Sequence, residues 1–252
     1  MSTPTLELIH QHGSVRNYKP DLPPQKLIEQ IITAAQRTSS SSNLQTYSVI
    51  VTTDPEKKAK IRDICSGQAH ISQAPVFLLW CADFSRLERV CNHQGYELNA
   101  AYMENFMVAT VDAAITMQNA GLAAESLGMG FCYIGALRND PEGIIEIFQL
   151  PKLVYPVCGM TLGWAMEKPM IKPRLPMEAV LHWESYQEND LQYLMEYDQA
   201  MIDTGIYGGR QVDREDRDPA DYGWMEHSAR RASKPSRPHL RETIIKSGFQ
   251  IK

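Results

Sequence analysis

The sequence predicts a layered α/β or α+β domain. Segments with apolar residues at helical spacing alternate along the chain with short apolar runs rich in β-branched and aromatic residues. The 252 residues are 43% hydrophobic, so the chain has enough apolar side chains to bury one large core or two small ones. Helices and strands that alternate in this way pack in layers around a common core.

Each element follows from its local pattern. Apolar residues that recur every three to four positions predict helices at 23–37, 55–65, 97–127, 141–148 and 190–204. Short runs of β-branched, aromatic or other apolar residues predict strands at 47–51, 75–82, 131–134 and 154–164. Residues 205–222 are polar and rich in Gly and Asp, and the basic segment 225–252 follows. We interpret both as an extension over the outside of a subunit or of its partner.

The predicted helix 97–127 is the longest element and is rich in alanine and methionine. It is apolar on most of its sides, so it must be buried all round. Three acidic residues, Glu104, Asp112 and Glu125, exclude a helix that faces lipid. A second subunit is the easiest cover for such a helix in a chain of this size. The alternative is a central core helix of a monomer.

Composition excludes several classes of protein. The net charge of -5 and the pI near 5.8 argue against general affinity for nucleic acid or anionic membrane, which needs clustered positive charge. The five cysteines are scattered without a CxxC pair, which favours reduced thiols over disulfides or a metal site. The sequence has no N-terminal signal pattern and no apolar run of about 20 residues. We therefore expect a cytoplasmic protein without a membrane span.

A polar cluster near the N-terminus, His12-Gly13-Ser14-Val15-Arg16, is the first candidate site. Its imidazole, hydroxyl and guanidinium, at positions i, i+2 and i+4, can converge on one anion, and the guanidinium fork matches phosphate oxygens. Gly13 lets the backbone approach a ligand closely. The alternative is the end of a surface helix with an exposed arginine.

Three later segments carry groups suited to the same kind of ligand. The serine-rich loop 39–45 offers hydroxyls and amides between a helix and a strand, although it also suits a flexible linker. Residues 133–139 follow a buried strand, and the small Gly135-Ala136 pair leaves room for a flat aromatic ligand against the backbone. The stiff segment 172–176 carries two cations between prolines. Ordinary turn chemistry is the alternative for the last two segments.

The chain resembles the FMN-dependent nitroreductase superfamily, and within it the branch of NAD(P)H-dependent nitro and flavin reductases. The resemblance covers roughly residues 5–185 and is carried by HGSVR, TSSSSNLQ, the GQ turn, AAESLGMG with FCYIGALRN, and KPRLP. It implies a three-layer α/β/α fold of the α+β class with a central, mostly antiparallel sheet and long helices at a homodimer interface that holds FMN. It also implies an FMN-binding domain over 1–185 and a C-terminal extension over 186–252 that packs on the core or the partner subunit.

The resemblance also assigns binding roles to individual residues. The cofactor-binding set that it implies is His12, Gly13, Ser14, Arg16, Ser40, Gln68, Tyr133, Ile134, Gly135, Ala136, Lys172 and Arg174. In this set the N-terminal residues and the two late cations hold the phosphate end, Gln68 holds the pyrimidine edge, and residues 133–136 lie along the ring. Arg138 and Arg210 are implied for the nicotinamide nucleotide or substrate. No side chain is implied as a catalytic acid or base, since the flavin carries the redox chemistry.

The implied activity is a ping-pong, two-electron reduction of nitroaromatics, quinones or free flavin, with NADPH or NADH as donor. Two departures from the family leave backbone contacts intact: Gly13 stands where relatives have arginine, and Ala136 where they have glycine. The loop that binds the 2′-phosphate of NADPH in relatives is rich in arginine, whereas residues 204–211 carry a single one, Arg210, and acidic residues follow closely. The sequence therefore does not favour NADPH over NADH as the electron donor.

Two functions of other classes are the alternatives. The altered nicotinamide loop also suits a protein that binds or delivers flavin with little turnover by NAD(P)H. The basic residues of 225–252 suggest a nucleic-acid or adaptor role, but acidic residues are interleaved upstream and the chain is acidic overall. We predict small-molecule electron acceptors and no nucleic-acid partner.

Overall fold

The structure of the chain, a computed structural model, describes residues 2–100, 102–188, 191–209 and 222–252. Its α-helices are α1 (Pro4–His10), α2 (Gln25–Ala35), α3 (Pro55–Ile64), α4 (Ala69–Gln73), α5 (Ser85–Gln94), α6 (Met103–Ser126), α7 (Pro141–Phe148), α8 (Leu191–Asp203), α9 (Trp224–Ala232) and α10 (Leu240–Lys246). Its strands are β1 (Tyr47–Thr52), β2 (Val76–Asp83), β3 (Gly130–Ile134) and β4 (Val154–Gly163). Short 3-10 helices lie at Ser41–Asn43, Gly135–Asn139 and Met177–Ala179.

Among the described residues, four strands form one antiparallel sheet in the order β1-β2-β4-β3. Strand β2 pairs with β1 on one side and with β4 on the other, and β3 pairs with the outer side of β4. Every residue of β2 is buried, which explains its continuously apolar sequence from Val76 to Ala82. The sheet confirms the mixed class that the alternating patterns predict, and its antiparallel pairing is the one that the resemblance implies.

Helices cover both faces of the sheet. Because successive side chains of a strand point to opposite faces, Leu78 and Trp80 of β2 pack with α2 and α6, and Phe77 and Leu79 pack with α3 and α7. All four side chains are fully buried, so the sheet is the middle of three layers. The expected α/β/α layering is confirmed.

Helix α6 begins later than predicted, because Tyr102 is extended (φ -116°, ψ 147°). It ends where expected: Gly128 adopts a φ of 76° just after the helix, a conformation that favours glycine. A single chain does not bury this helix all round. One side packs on the sheet and on α2, whereas Met107, Val111 and Ile115 are 53%, 55% and 38% exposed.

Helices α1, α4, α5, α9 and α10 are absent from the sequence-based prediction. Their segments are short or strongly charged, so apolar positions recur too few times to produce a clear helical pattern. Helix α10 leads to Phe249, which is 1% exposed and packs edge-on against Phe84 with ring centroids 6.2 Å apart. Lys246 of α10 pairs with Glu142 and Glu242. The last part of the segment 225–252 therefore packs on the core of the chain.

Contacts divide the chain into two compact units, residues 1–169 with 237–252, and residues 170–236. The first unit holds the sheet, and the second holds α8 and α9. The division at residue 185 that the resemblance implies stays a prediction. Among the described helices, none combines the length and the apolar composition that a membrane crossing requires.

Candidate functional site

The segment 12–19 is anchored at the start of β3. The Val15 amide donates a hydrogen bond to the Phe131 carbonyl (2.9 Å), and the Tyr18 hydroxyl donates to the Val15 carbonyl (2.7 Å). A Cβ at Gly130 would lie 2.3 Å from Cγ2 of Val15, so the close approach of segment and strand requires glycine. The predicted anion cluster thus follows the exposed helix α1 directly, with the His12 amide donating to the Ile9 carbonyl, and its later residues are held along the sheet.

His12 is held by the end of α6. Its Nδ1 lies 2.6 Å from Oε1 of Glu125. Its ring packs on the ring of Phe131, with the centroids 5.1 Å apart and the planes inclined by 30°. Both side chains of the pair are largely covered, at 29% exposure for His12 and 14% for Glu125. Gly13 is buried next to it, and Ser14 is partly exposed. These contacts occupy Nδ1 and fix the orientation of the imidazole.

Arg16 is exposed, and its charge acts on His70 of α4. Burial of the imidazole, together with the nearby charge of Arg16, lowers the pKa of His70 below its usual value of 6.5. His70 is 9% exposed, and its Nε2 has no hydrogen-bond partner among the described residues. Two residues earlier, the Gln68 side-chain amide donates to the Cys65 carbonyl at 3.0 Å. Sequence reasoning missed His70, since one histidine on a short helix forms no distinguishing pattern.

We expect the protein to lose stability in mild acid through His70. Because the folded-state pKa lies below the usual value, the unfolded chain binds the additional proton more readily, and the free energy of unfolding falls as the pH drops below 6.5. His70 alone contributes at most about 1.4 kcal/mol per pH unit to the slope of the free energy of unfolding against pH. Denaturant titrations between pH 7 and pH 5 measure it. His70→Gln should flatten the dependence, whereas His93→Gln, at an exposed position, should not; an unchanged slope in His70→Gln would contradict the prediction.

A buried carboxylate on α6 organises the serine loop. Asp112, 1% exposed, accepts hydrogen bonds from the Ser40 hydroxyl (2.6 Å), the Ser41 amide (3.2 Å), and the amide and hydroxyl of Thr46 (3.0 and 2.9 Å). Ser40 Oγ in turn accepts from the Gln45 amide at 2.7 Å. A flexible linker is therefore the wrong interpretation of this loop. The sequence shows Asp112 only as a charge within an apolar helix, so its partners could not be foreseen.

The end of β3 and the turn that follows it carry the residues predicted to lie along a flat ligand. Burial raises the pKa of Tyr133, so its hydroxyl stays protonated and donates to Oε1 of Gln118 at 3.0 Å. Ile134 is buried, and Gly135 and the partly buried Ala136 begin the 3-10 helix. The guanidinium of Arg138 lies against Gly135, since a Cβ added there would be 3.0 Å from its Nη2.

Arg138 points back towards its own sheet. Its Nη1 donates to the Val157 carbonyl at 2.7 Å, and its own carbonyl lies 3.3 Å from Nε2 of His239. The next residue, Asn139, accepts from Nε of Arg237 at 3.0 Å. The C-terminal segment thus holds the turn that follows β3, a contact that the sequence does not reveal. The expected role of Arg138 towards a nicotinamide nucleotide stays a prediction, since its guanidinium is bonded within the fold.

The remaining predicted residues lie beyond the first compact unit. Arg174 is exposed, and its Nη1 donates to the carbonyls of Lys172 (3.0 Å) and Pro173 (3.2 Å). The two cations are therefore neighbours on one proline-rich segment of the second unit. Arg210 lies outside the described residues. That these cations share one phosphate site with the N-terminal cluster stays a prediction.

Comparison with known proteins identifies the relatives of this chain. The model of the nitroreductase family matches residues 9–164, and the model of the family's C-terminal domain matches residues 172–252. The chain belongs to the nitroreductase family. The family that the sequence motifs indicate is thereby confirmed.

This family member has close relatives over its whole length. It is 37% identical to the oxygen-insensitive NADPH nitroreductase of Salmonella typhimurium and to the FMN reductase (NAD(P)H) of Bacillus subtilis, over 98% of each chain. The solved structure of the hypothetical oxidoreductase YcnD from Bacillus subtilis has a TM-score of 0.92, 35% identity and full coverage of both chains. The NADPH:FMN oxidoreductase from Vibrio harveyi, complexed with NAD+, has a TM-score of 0.87 and 31% identity, covering 99% of this chain and 100% of that one. The three-layer fold is that of the family.

The donor set of this family member fits FMN. The anion cluster lies at the first residues of β3, and the turn at Gly135 lies at the end of the same strand. Because a strand rises about 3.3 Å per residue, roughly 16 Å separates the two. That span suits a ligand with a phosphate at one end and a flat ring at the other. The buried Nε2 of His70, close to Arg16, is the kind of polar atom that a ligand or an ordered water satisfies.

Proposed function

We propose that this chain is an FMN-dependent NAD(P)H oxidoreductase that reduces nitroaromatics, quinones or free flavin by two electrons in ping-pong order. The arrangement along β3 carries the proposal, because an anchored anion-binding loop and a backbone turn flank a strand of suitable length. The names of two relatives, an NADPH nitroreductase and an FMN reductase, support it. Bound FMN would accept two electrons from the nicotinamide nucleotide and pass them to the acceptor.

The residues of the chain bind and orient the cofactor. We assign the phosphate to residues with suitable charge, N–H or O–H groups, namely His12, Gly13, Ser14, Arg16, Lys172 and Arg174. Ser40 and Gln68 supply polar contacts to the flavin, and the flat ring is assigned to Tyr133, Ile134, Gly135 and Ala136. Arg138 and Arg210 are assigned to the nicotinamide nucleotide or the acceptor. No side chain is required to move a proton at the donor carbon, so binding and orientation are the tasks of the protein.

We also propose that the active form is a homodimer in the cytoplasm. Met107, Val111 and Ile115 recur every four residues on α6 and form an exposed apolar stripe, which a second copy of the chain would cover. A groove of about 600 Å³ between α2 and β1 is also partly apolar, with Leu22, Ile28, Ile32, Val49 and Val51 among its lining residues. Light scattering should give twice the chain mass of 28.5 kDa. A monomeric mass at micromolar concentration would contradict the dimer.

Anaerobic reduction by NADH and by NADPH, measured in parallel, tests the activity. Protein loaded with FMN should lose its flavin absorbance with at least one donor. Under turnover it should oxidise that donor rapidly when a nitroaromatic compound, a quinone or free flavin is added. Free FMN without protein supplies the background rate, and the ratio of the two reduction rates identifies the preferred donor.

The alternative, a flavin-binding protein with little nicotinamide-driven turnover, differs in one result of this experiment. Flavin that stays oxidised with both donors would favour the alternative over the reductase. Apoprotein that fails to bind FMN on titration would contradict both functions.

A further inference from the structure

We propose that Glu125 is a positioning residue for His12 and, through it, for the phosphate of the bound cofactor. The proposal rests on the proposed function, in which His12 contacts that phosphate. Neither the sequence motifs nor the resemblance assigns a role to this carboxylate beyond a charge within α6. The contacts around His12 carry the assignment.

The contact with Glu125 decides which nitrogen of His12 is available to a ligand. A carboxylate oxygen only accepts hydrogen bonds, so the 2.6 Å contact requires a hydrogen on Nδ1. Nε2 lies on the opposite edge of the ring and points away from Glu125. Within the part of the chain that the structure describes, the His12 side chain makes no other hydrogen bond. Phe131, with its ring centroid 5.1 Å away, restricts rotation of the imidazole.

The position of Glu125 is unfavourable for the helix itself. It lies in the last turn of α6, where the free carbonyl groups of a helix end disfavour negative charge. Its side chain is 14% exposed, so water screens the charge only in part. Such a carboxylate would repel a nearby phosphate unless it were paired with a cation. Protonated His12 provides that pairing through Nδ1 and can donate to the phosphate through Nε2.

The test compares FMN with riboflavin, which lacks the phosphate. Flavin fluorescence gives the dissociation constants for wild type, Glu125→Ala, Glu125→Gln and the control Glu146→Gln, which removes one exposed charge from α7. We expect Glu125→Ala to bind FMN about tenfold more weakly with its riboflavin affinity unchanged. Glu125→Gln should lose less, because its amide oxygen still accepts from Nδ1. The control should change neither affinity.

A second comparison decides whether the effect acts through His12. In the His12→Ala background, Glu125→Ala should weaken FMN binding no further, since the imidazole is already absent. Equal losses in both backgrounds, or equal losses for FMN and riboflavin, would overturn the proposal. Nitrogen-15 NMR of the apoprotein should show a hydrogen on Nδ1 of the His12 ring. A hydrogen on Nε2 instead would also overturn it.

Failure of the proposed function has a different signature. Wild-type protein that binds FMN no better than riboflavin would refute the phosphate site, and this proposal with it. If the wild-type protein binds FMN more tightly than riboflavin, and Glu125→Ala keeps the same ratio of the two affinities, only the role of Glu125 is refuted.

Discussion

Arg16→Ala is expected to weaken FMN binding by roughly ten- to a hundredfold. The guanidinium offers phosphate a fork of donors, and the loss of a charge-assisted hydrogen bond costs about 1.5–3 kcal/mol, which corresponds to this range. Because Arg16 is exposed, the free energy of unfolding of the apoprotein should change by less than about 0.5 kcal/mol. Titration of the apoprotein with FMN, followed by flavin fluorescence, measures the loss.

Two further variants separate the guanidinium fork from general positive charge. Arg16→Lys keeps the charge without the fork and should bind FMN with intermediate affinity. Lys19→Ala removes an exposed cation from the same segment and should bind FMN nearly as well as wild type. Riboflavin affinity should not respond to any of these changes. Unchanged FMN affinity in Arg16→Ala would mean that the anion site lies elsewhere.

Asp112→Ala is expected to lower the free energy of unfolding by about 3–4 kcal/mol. The substitution leaves the backbone amide of Thr46 and its hydroxyl, both buried, without their acceptor, and it also releases Ser40. Unsatisfied buried donors cost about 1–3 kcal/mol each, with sums that are not additive. For a chain of this length, the loss corresponds to a fall in Tm of roughly 10 °C. Thermal and denaturant unfolding of the apoprotein measure both quantities.

Matched variants distinguish the hydrogen bonds from the charge. Asp112→Asn keeps the shape and one acceptor oxygen, so it should lose less stability than the alanine variant. Asp63→Ala removes an exposed carboxylate, 65% accessible, and should change stability by less than about 0.5 kcal/mol. A Tm of Asp112→Ala close to that of wild type would show that the serine loop does not depend on this carboxylate.

Local signals account for the elements that the sequence predicts well. The helix predicted at 141–148 is observed at those residues, because Asp140 accepts from the Gly143 amide (3.0 Å) and Pro141 suits the first turn. Strand β2 is recognisable because it is buried on both faces. Helix α5 carries no such signal, since its segment Ser85–Gln94 is mostly polar and buries no residue fully.

The residues of the candidate site also divide into those that local sequence signals predict and those that they do not. Its motif residues stand in continuous segments, so type and spacing suffice to nominate the cluster His12–Arg16 or the pair Gly135-Ala136. Their supporting residues come from distant parts of the chain: Glu125 is 113 residues from His12, and His239 is 101 residues from Arg138. Contacts across such separations leave no local pattern in one sequence.

The sequence by itself determined the class of fold, the family, and the short segments that carry donors for an anion and a flat ring. These properties depend on side-chain type and on spacing along the chain, which can be read directly. Only the tertiary structure decided that α6 keeps an apolar stripe exposed, that Asp112 organises the serine loop, and that Glu125 orients His12. These properties depend on which surfaces meet when the layers pack. The same carboxylate in an apolar helix can be solvent-facing, structural or part of a site until its neighbours are known.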